Sequence, residues 1–322
     1  MRIVVVGAGL AGLAAARSLN NDHELVVVDK GRGVGGRMAT RRMGDATIDH
    51  GAQFFTTHTD EFAAVVAGWQ EAGLAQPWFR GRLGPLGIVD ADGHTRFRGT
   101  ESMNAVAKHL AAGLDVRTGT AAISISQADG SHGWTIAIGD HSLQAEAVVL
   151  TPPVPQSLAL LAAGEVALAT DDLAALTALR YEPCLAVLAV LDAPSGLPEP
   201  GAVDPEDGPI DWMADNQRKG ISASPAVTIH ATADFSREHW SSPDEVVVAT
   251  LLAAAGLPAA TSVTQVQRWR YARPVDVHPA RHLLAQGLPP LVFAGDAFGG
   301  AKVEGAVLSG RSAARALCPK SA

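Results

Sequence analysis

Cysteine is nearly absent: Cys184 and Cys318 are the only two among 322 residues, and they lie far apart. Two thiols are too few for a zinc knuckle or a disulfide framework, so a reducing compartment is expected and both read as packing residues. An excess of positive charge is missing as well. The 25 Lys and Arg stand against 33 Asp and Glu, a formal charge of −8 with a pI near 5.7. General affinity for nucleic acid needs basic side chains facing phosphates, so no nucleic-acid partner is expected. No stretch reaches the roughly 18 uninterrupted apolar residues of a membrane span. The run from Met1-Arg2 to Ala16 imitates a secretion signal, with Ala14-Ala15-Ala16 as its cleavage site. Gly7, Gly9 and Gly12 interrupt that run, and a strand–turn–helix explains each of them. The expectation is a soluble, cytoplasmic chain without a membrane partner. Internal repeats, a low-complexity tail, and any Ser–His–Asp, paired-carboxylate or histidine metal spacing are also lacking. No metal site and no acid–base or nucleophilic residue is therefore expected.

What is present is an apolar fraction of 47%, enough for a well-buried core and about two domains. Arg2–Val6 is a short β-branched run suited to a buried parallel strand, Leu10–Leu19 an Ala-rich helix, and Leu25–Val28 a second strand. Asp60–Ala72 reads as a helix with Phe62, Val65, Val66 and Trp69 on one face. Strands are expected between Trp78 and Phe97 with a turn at Asp92-Gly93, then a helix Ser102–Ala111 capped by Ser102 and a strand Leu114–Arg117. A meander follows at Ala121–Ser126, Trp134–Ile138 and Ser142–Ala145, broken at Asp129-Gly130 and Gly139-Asp140. Ala147–Leu150 is a further buried strand, stopped by Pro152-Pro153. From Val154 to Val263 the pattern is mixed, with strands near Leu185–Leu191 and Ala226–Ala231 and a loop Ala193–Pro209 carrying five prolines. Strand Leu291–Ala294, a Gly-rich turn and helix Val303–Leu317 return to the style of the opening.

Three motifs carry chemistry. Gly7-Ala8-Gly9-Leu10-Ala11-Gly12 is G-x-G-x-x-G set between a strand and a helix. Its first glycine permits the tight turn, its second lets a diphosphate approach the backbone, and its third allows close helix–strand packing. The helix N-terminus offers free N–H groups and a positive dipole end. Asp29, 17 residues past Gly12, is placed to accept from a ribose hydroxyl.

The second motif, Gly31-Arg32-Gly33-Val34-Gly35-Gly36-Arg37, is one that a plain NAD fold does not need, and it points to FAD. Its glycines bring backbone N–H groups to the far side of the diphosphate, and Arg37 adds a charged fork of donors. The cluster Lys30, Arg32, Arg37, Arg41 and Arg42 also reads as a nucleic-acid patch, but it has no interleaved aromatics. In the third motif, Phe293-Ala294-Gly295-Asp296-Ala297, Asp296 is expected on the ribityl hydroxyls with the following helix aimed at the flavin ring. An ordinary Asp turn before a surface helix is the plain alternative.

The segments V-V-G-A-G-L-A-G-L, G-V-G-G-R-M-A-T and G-D-A…V-E-G-A-V-L-S-G-R-S-A-A together resemble the amine-oxidase-like FAD superfamily. Asp49-His50-Gly51-Ala52-Gln53-Phe54-Phe55-Thr56, Asp211–Asn216 and Gln267–Ala272 resemble the renalase-like group within it. The resemblance implies an α/β fold of the p-hydroxybenzoate hydroxylase/amine oxidase type, a discontinuous Rossmann-type FAD-binding domain with an inserted sheet-plus-helix substrate domain. It places the FAD domain at 1–60, 98–153 and 265–322, and the substrate domain at 61–97 and 154–264. Implied cofactor contacts are Gly7, Gly9, Ala11, Gly12, Asp29, Lys30, Gly36, Arg37, Met38, Gly51, Ala52, Gln53, Asp296, Val303, Glu304 and Ala306. FAD is expected to be non-covalent, because no cysteine lies near these motifs.

Renalase-like enzymes oxidise 2- and 6-dihydro-NAD(P) to NAD(P)⁺ and pass the electrons to O2, releasing hydrogen peroxide. Here Ala301-Lys302 stands where amine oxidases of the superfamily usually carry an aromatic residue. A cationic Lys302 would repel an ammonium and suit a dinucleotide; it also reads as a solvent-facing side chain. Hydride loss from a dihydropyridine needs no base, so positioning is the expected catalytic device. Candidate substrate contacts are Gln53, Phe54, Phe55, Thr56, Trp212, Asn216, His230 and Trp269, with Asn216 on the carboxamide. Any of the aromatics also reads as a core position, and His230 as a satisfied buried histidine. An amine oxidase or other dehydrogenase on the same fold, and a flavin-binding protein without turnover, are the competing readings.

Overall fold

The computed structural model describes residues 1–19, 23–128, 133–257 and 263–318. The chain divides into two compact units, one formed by Met1–Gly36, Ala107–Tyr181 and Arg273–Ala322, the other by Arg37–Val106 and Glu182–Ala272.

The first unit is built on a six-stranded sheet. Its order is Leu283–Leu284, Leu291–Phe293, Ala147–Leu150, Arg2–Val6, Glu24–Val28 and Val116–Arg117. All neighbours are parallel except the first pair. Strand Arg2–Val6 lies between Ala147–Leu150 and Glu24–Val28, so its Val4 pairs with Val148 on one side and Val26 on the other. Burial on both faces explains why these strands are continuous apolar runs instead of alternating ones. Helix Leu10–Leu19 packs against helix Lys302–Leu317, and the approach depends on a missing side chain: a Cβ at Gly310 would meet the Ala11 carbonyl oxygen at 2.1 Å. An antiparallel sheet of Ala122–Gln127, Trp134–Ile138 and His141–Ala145 completes this unit. It contributes the fully buried Trp134, whose indole N–H donates to the Pro290 carbonyl at 3.2 Å.

The second unit holds a five-stranded sheet in the order Ala202–Val203, Ile210–Asp215, Ala226–Ala231, Tyr181–Val190 and Val263–Pro274. Helices Ala233–Glu238 and Asp244–Ala254 belong to it, and Val247 and Leu251 are buried with Leu185, Val187 and Ile229. Each such aliphatic chain stabilises the unit by about 1.5–3 kcal/mol. The hairpin Thr40–Met43/Ala46–Asp49, which the sequence pattern did not suggest, buries Ala46 and Ile48 against Leu188 and Ala226. Helix Asp60–Glu71 is capped by Thr59, whose hydroxyl accepts from the Phe62 N–H at 3.2 Å.

Two local expectations need correction. No reversal occurs at Asp92-Gly93; strand Gly87–Gly99 runs through it, and the chain turns back between Gly84 and Gly87. The turn chemistry is used for a bulge. Asp92 accepts from the His94 N–H at 3.0 Å, Gly93 has φ +79°, and the pairing shifts between Arg80↔Thr95 and Arg82↔Asp90. The helix expected from Ser102 spans Asn104–Ala111, and the Met103 N–H just ahead of it donates to Asp49 Oδ1 at 3.0 Å. The turn expected at Asp129-Gly130 lies outside the described residues.

Candidate functional site

In the first unit the glycine motifs meet at the carboxyl ends of adjacent parallel strands, where α/β sheets bind their ligands. The Gly7 N–H donates to the Val28 carbonyl at 2.8 Å, and Gly7 has φ +104°. A Cβ at Gly12 would stand 1.8 Å from the Gly7 oxygen, so this glycine is required for helix–strand packing. A Cβ at Gly9 would meet nothing within 4 Å, which leaves open space over the backbone where a diphosphate would lie. The second glycine segment runs alongside: Gly35 N–H donates to the Ala8 carbonyl at 2.8 Å, and Gly9 and Gly35 form a parallel bridge. Asp29 ties the two turns together, accepting from Ala8 N–H and Gly31 N–H, each at 2.6 Å. The spacing of Asp29 leads one to expect a ribose contact; the structure shows its carboxylate bracing the two backbone turns. Ala11 is buried in the first helix, whereas Lys30 reaches out to Gln156 Oε1 at 3.4 Å on an exposed surface.

The third motif follows strand Leu291–Phe293. Gly295 N–H donates to the buried Ser309 hydroxyl at 2.8 Å, and Asp296 is 7% exposed. A Cβ at Gly305 would stand 1.7 Å from the Gly300 oxygen, so the loop folds tightly onto the start of the last helix. The N-cap of that helix, Ala301, supplies no side-chain hydrogen bond to the first turn. Val303 is buried, and Glu304 and Ala306 are half-buried. Lys302 is exposed and has φ +70°, unusual for a residue with a side chain. Backbone open to a diphosphate, two tight glycine turns and a helix start without a side-chain cap together fit a dinucleotide cofactor.

In the second unit Asp49 is a hub. Oδ1 accepts from the Thr40 hydroxyl at 2.6 Å and from Met103 N–H, and Oδ2 from Lys219 Nζ at 2.8 Å. Both charged side chains are fully enclosed, and Nζ lies 5.1 Å from the Trp78 ring centroid. Burial pushes the Lys219 pKa down, opposed by Asp49. Gln53 Nε2 donates to the Asp49 carbonyl at 2.6 Å and to the Gly51 carbonyl at 3.1 Å. A Cβ at Gly51 would stand 2.0 Å from the Arg37 oxygen, which accepts from Ala52 N–H at 2.7 Å. The Arg37 guanidinium donates to the carbonyls of Tyr271 and Ala272 at 3.2 and 3.3 Å, and Met38 is buried beside it in sequence.

The expected substrate contacts separate into two groups. Phe54 packs against Trp212, centroids 5.1 Å apart, and Arg96 lies 6.0 Å from its ring. Trp212 pairs across the sheet with His230, whose Nε2 donates to the His50 carbonyl at 3.3 Å. Trp269 donates to that same carbonyl at 3.0 Å and stacks on the His50 ring at 5.4 Å and 16°. Burial lowers both His50 and His230 to a pKa of about 4, with Arg41 adding to the effect at His50. Both are neutral at pH 7, in an aromatic sector.

The other group is scaffold. Phe55 is 3% exposed and locked among Phe62, Trp69 and Phe97. Thr56 pairs locally with His58 at 2.9 Å. Asn216 is fully buried with its amide committed: Oδ1 accepts from Asp49 N–H at 3.1 Å, and Nδ2 donates to Ala226 O and Thr228 Oγ1 at 3.3 and 3.0 Å. The carboxamide contact expected of Asn216 is therefore withdrawn, because every donor and acceptor of its amide is used. Gln53 is likewise committed to the Asp49–Gly51 segment. Asp49 and His50 open the segment that resembles the renalase-like group but carry no expected site role, and Lys219 sits in a polar stretch that gives no local signal of burial.

The first unit has the doubly wound α/β form of a dinucleotide-binding domain, and the second is built on a five-stranded sheet with an aromatic sector. The model of an NAD(P)-binding Rossmann-like domain matches residues 5–69, and that of the flavin containing amine oxidoreductases matches residues 79–318. The chain belongs to the flavin containing amine oxidoreductase family, which implies FAD as its cofactor. It is 45% identical over 73 residues to "Putative flavin-containing monoamine oxidase AofH" of Mycobacterium tuberculosis, a match covering 22% of this chain and 15% of that protein. The fold is similar to "Putative protoporphyrinogen oxidase" from Exiguobacterium sp. 255-15, TM-score 0.73 at 14% identity over 98% of each chain. It is also similar to wild-type putrescine oxidase bound to putrescine, TM-score 0.70 at 15% identity over 99% of each chain. No helix among the described residues is long and apolar enough to cross a membrane, and no group of metal-ligating side chains occurs among them.

Proposed function

We propose that this FAD-dependent oxidoreductase is a renalase-like oxidase of isomeric dihydronicotinamides, converting 2- and 6-dihydro-NAD(P) to NAD(P)⁺. The observation that carries the reading is Ala301-Lys302 at the start of the last helix, with Lys302 exposed and in a left-handed conformation. An aromatic wall for an amine is missing at this point, and a positive charge disfavours an ammonium while it suits phosphates.

Gly9, Gly36 and the helix start at Leu10 would hold the FAD diphosphate, with Asp29, Arg37 and Asp296 as polar contacts. Bound non-covalently, FAD would supply the hydride acceptor and, with O2, the route by which the electrons leave as hydrogen peroxide. The chain's own contribution is positioning and exclusion of water. Phe54, Trp212 and Trp269 offer flat apolar faces, and the neutral His50 and His230 bring no charge to repel a ring that becomes cationic. A dihydropyridine loses hydride to give an aromatic cation directly, so no residue has to remove a proton.

Amine oxidation is the second reading, favoured by the monoamine and putrescine oxidases to which the chain is similar. Product analysis in air separates the two. NAD(P)⁺ and peroxide formed in equal amounts from the 2- or 6-dihydro isomer support the proposal. Aldehyde and ammonia from a monoamine or putrescine, with the isomers left unconsumed, overturn it.

A further inference from the structure

His50 has so far no role beyond its neutrality, yet its backbone and ring are held on several sides in the second unit. Its backbone N–H donates to the Ala39 carbonyl at 3.2 Å. Its carbonyl accepts from both Trp269 Nε1 and His230 Nε2, and the preceding residue is the Asp49 hub. The ring itself is stacked on Trp269 and 3% exposed. Despite this, neither ring nitrogen has a hydrogen-bond partner among the described residues. Nδ1 is enclosed without a partner, whereas Nε2 is not so enclosed.

The enclosed nitrogen decides the tautomer. An orphaned buried N–H is rarer and costlier than an orphaned acceptor lone pair, so the proton belongs on Nε2. A neutral imidazole then presents one N–H donor, held in orientation by the stacked indole, at the edge of an aromatic sector. A donor without a partner calls for an acceptor. An ammonium has only donors to offer, whereas a ring carboxamide offers a carbonyl oxygen.

We propose that His50 is a specificity-determining residue whose Nε2–H donates to the carbonyl oxygen of a carboxamide on a flat substrate ring lying beside the His50–Trp269 stack. The proposal rests on the dihydronicotinamide reading for the identity of the ring, and it supplies the carboxamide contact that Asn216 cannot make. Discrimination by one neutral hydrogen bond amounts to about 2- to 13-fold in affinity.

The test is equilibrium binding, which needs no turnover and so fails separately from the oxidase reading. The FAD-loaded full chain is titrated at pH 8 with nicotinamide and with 3-methylpyridine, which keeps the ring and lacks the carbonyl. Binding is followed by the flavin visible spectrum and by tryptophan fluorescence. The wild type should prefer nicotinamide by roughly 2- to 13-fold, the range of one such bond. His50→Phe keeps an aromatic ring and should bring the ratio near one by weakening nicotinamide alone. His50→Gln keeps an N–H donor and should retain part of the preference. No preference in the wild type, failure of nicotinamide to bind, or an undiminished ratio in His50→Phe would each overturn the proposal.

Discussion

Lys219 Nζ lies 2.8 Å from Asp49 Oδ2, and both side chains are fully enclosed. The pair joins positions 170 residues apart, and its Asp49 immediately precedes His50. Removing one partner strands a buried charge, which generally costs about 3–5 kcal/mol, whereas removing both together costs much less. Lys219→Met should therefore lower unfolding stability by about that amount, and Lys219→Met with Asp49→Asn should recover a substantial part. Urea denaturation followed by fluorescence measures both. A single variant within about 1 kcal/mol of wild type would mean that Asp49 is satisfied without the lysine.

The two histidines near pKa 4 make stability pH-dependent in a defined window. Between pH 6.5 and 4 the unfolded chain binds a proton at each histidine and the folded chain does not. Stability therefore falls as pH falls, by at most about 1.4 kcal/mol per pH unit for each histidine. It is fully present above pH 6.5. Comparison of denaturation midpoints for wild type and His50→Phe across this window should show a shallower slope in the variant. Identical slopes would place the His50 pKa near its ordinary value.

Gly9 and Gly12 should separate cofactor binding from folding. A methyl at Gly12 collides with the Gly7 oxygen, so Gly12→Ala should destabilise the first unit by more than about 1 kcal/mol, the lower range of overpacking. A methyl at Gly9 meets only open space, so Gly9→Ala should fold normally yet lose flavin, because the methyl occupies the diphosphate's place. Flavin content by absorbance and stability of the apoprotein are the two readings. Full flavin retention in Gly9→Ala would move the diphosphate away from this turn.

These contrasts mark what the sequence makes legible. The opening strand, helix and second strand, and the closing strand and helix, are encoded locally: apolar runs bounded by glycines whose positions have one geometric explanation each. Neighbouring aromatics are harder. Phe54 and Phe55 are chemically alike, and only the register of the second unit puts Phe55 in the core and Phe54 against Trp212. Asn216 looked like a recognition amide because nothing local reveals that Asp49, Ala226 and Thr228 use up its hydrogen bonds. The Asp49–Lys219 pair is invisible for the same reason, since long-range pairing leaves no periodic trace. At Asp92-Gly93 the turn residues of the sequence build a bulge rather than a reversal, because the same chemistry serves both.

The measurement that bears most directly on the proposed reaction is anaerobic stopped-flow absorbance of the FAD-loaded protein, followed by admission of oxygen. Separate syringes supply 2- or 6-dihydro-NAD(P), ordinary 4-dihydro-NADH, benzylamine and putrescine. A positioning site without a base predicts fast bleaching by a 2- or 6-dihydro isomer and little or none by the others. Oxygen should then restore the visible band. Rapid bleaching by benzylamine or putrescine, with no response to any dihydronicotinamide isomer, would contradict this and identify an amine oxidase instead.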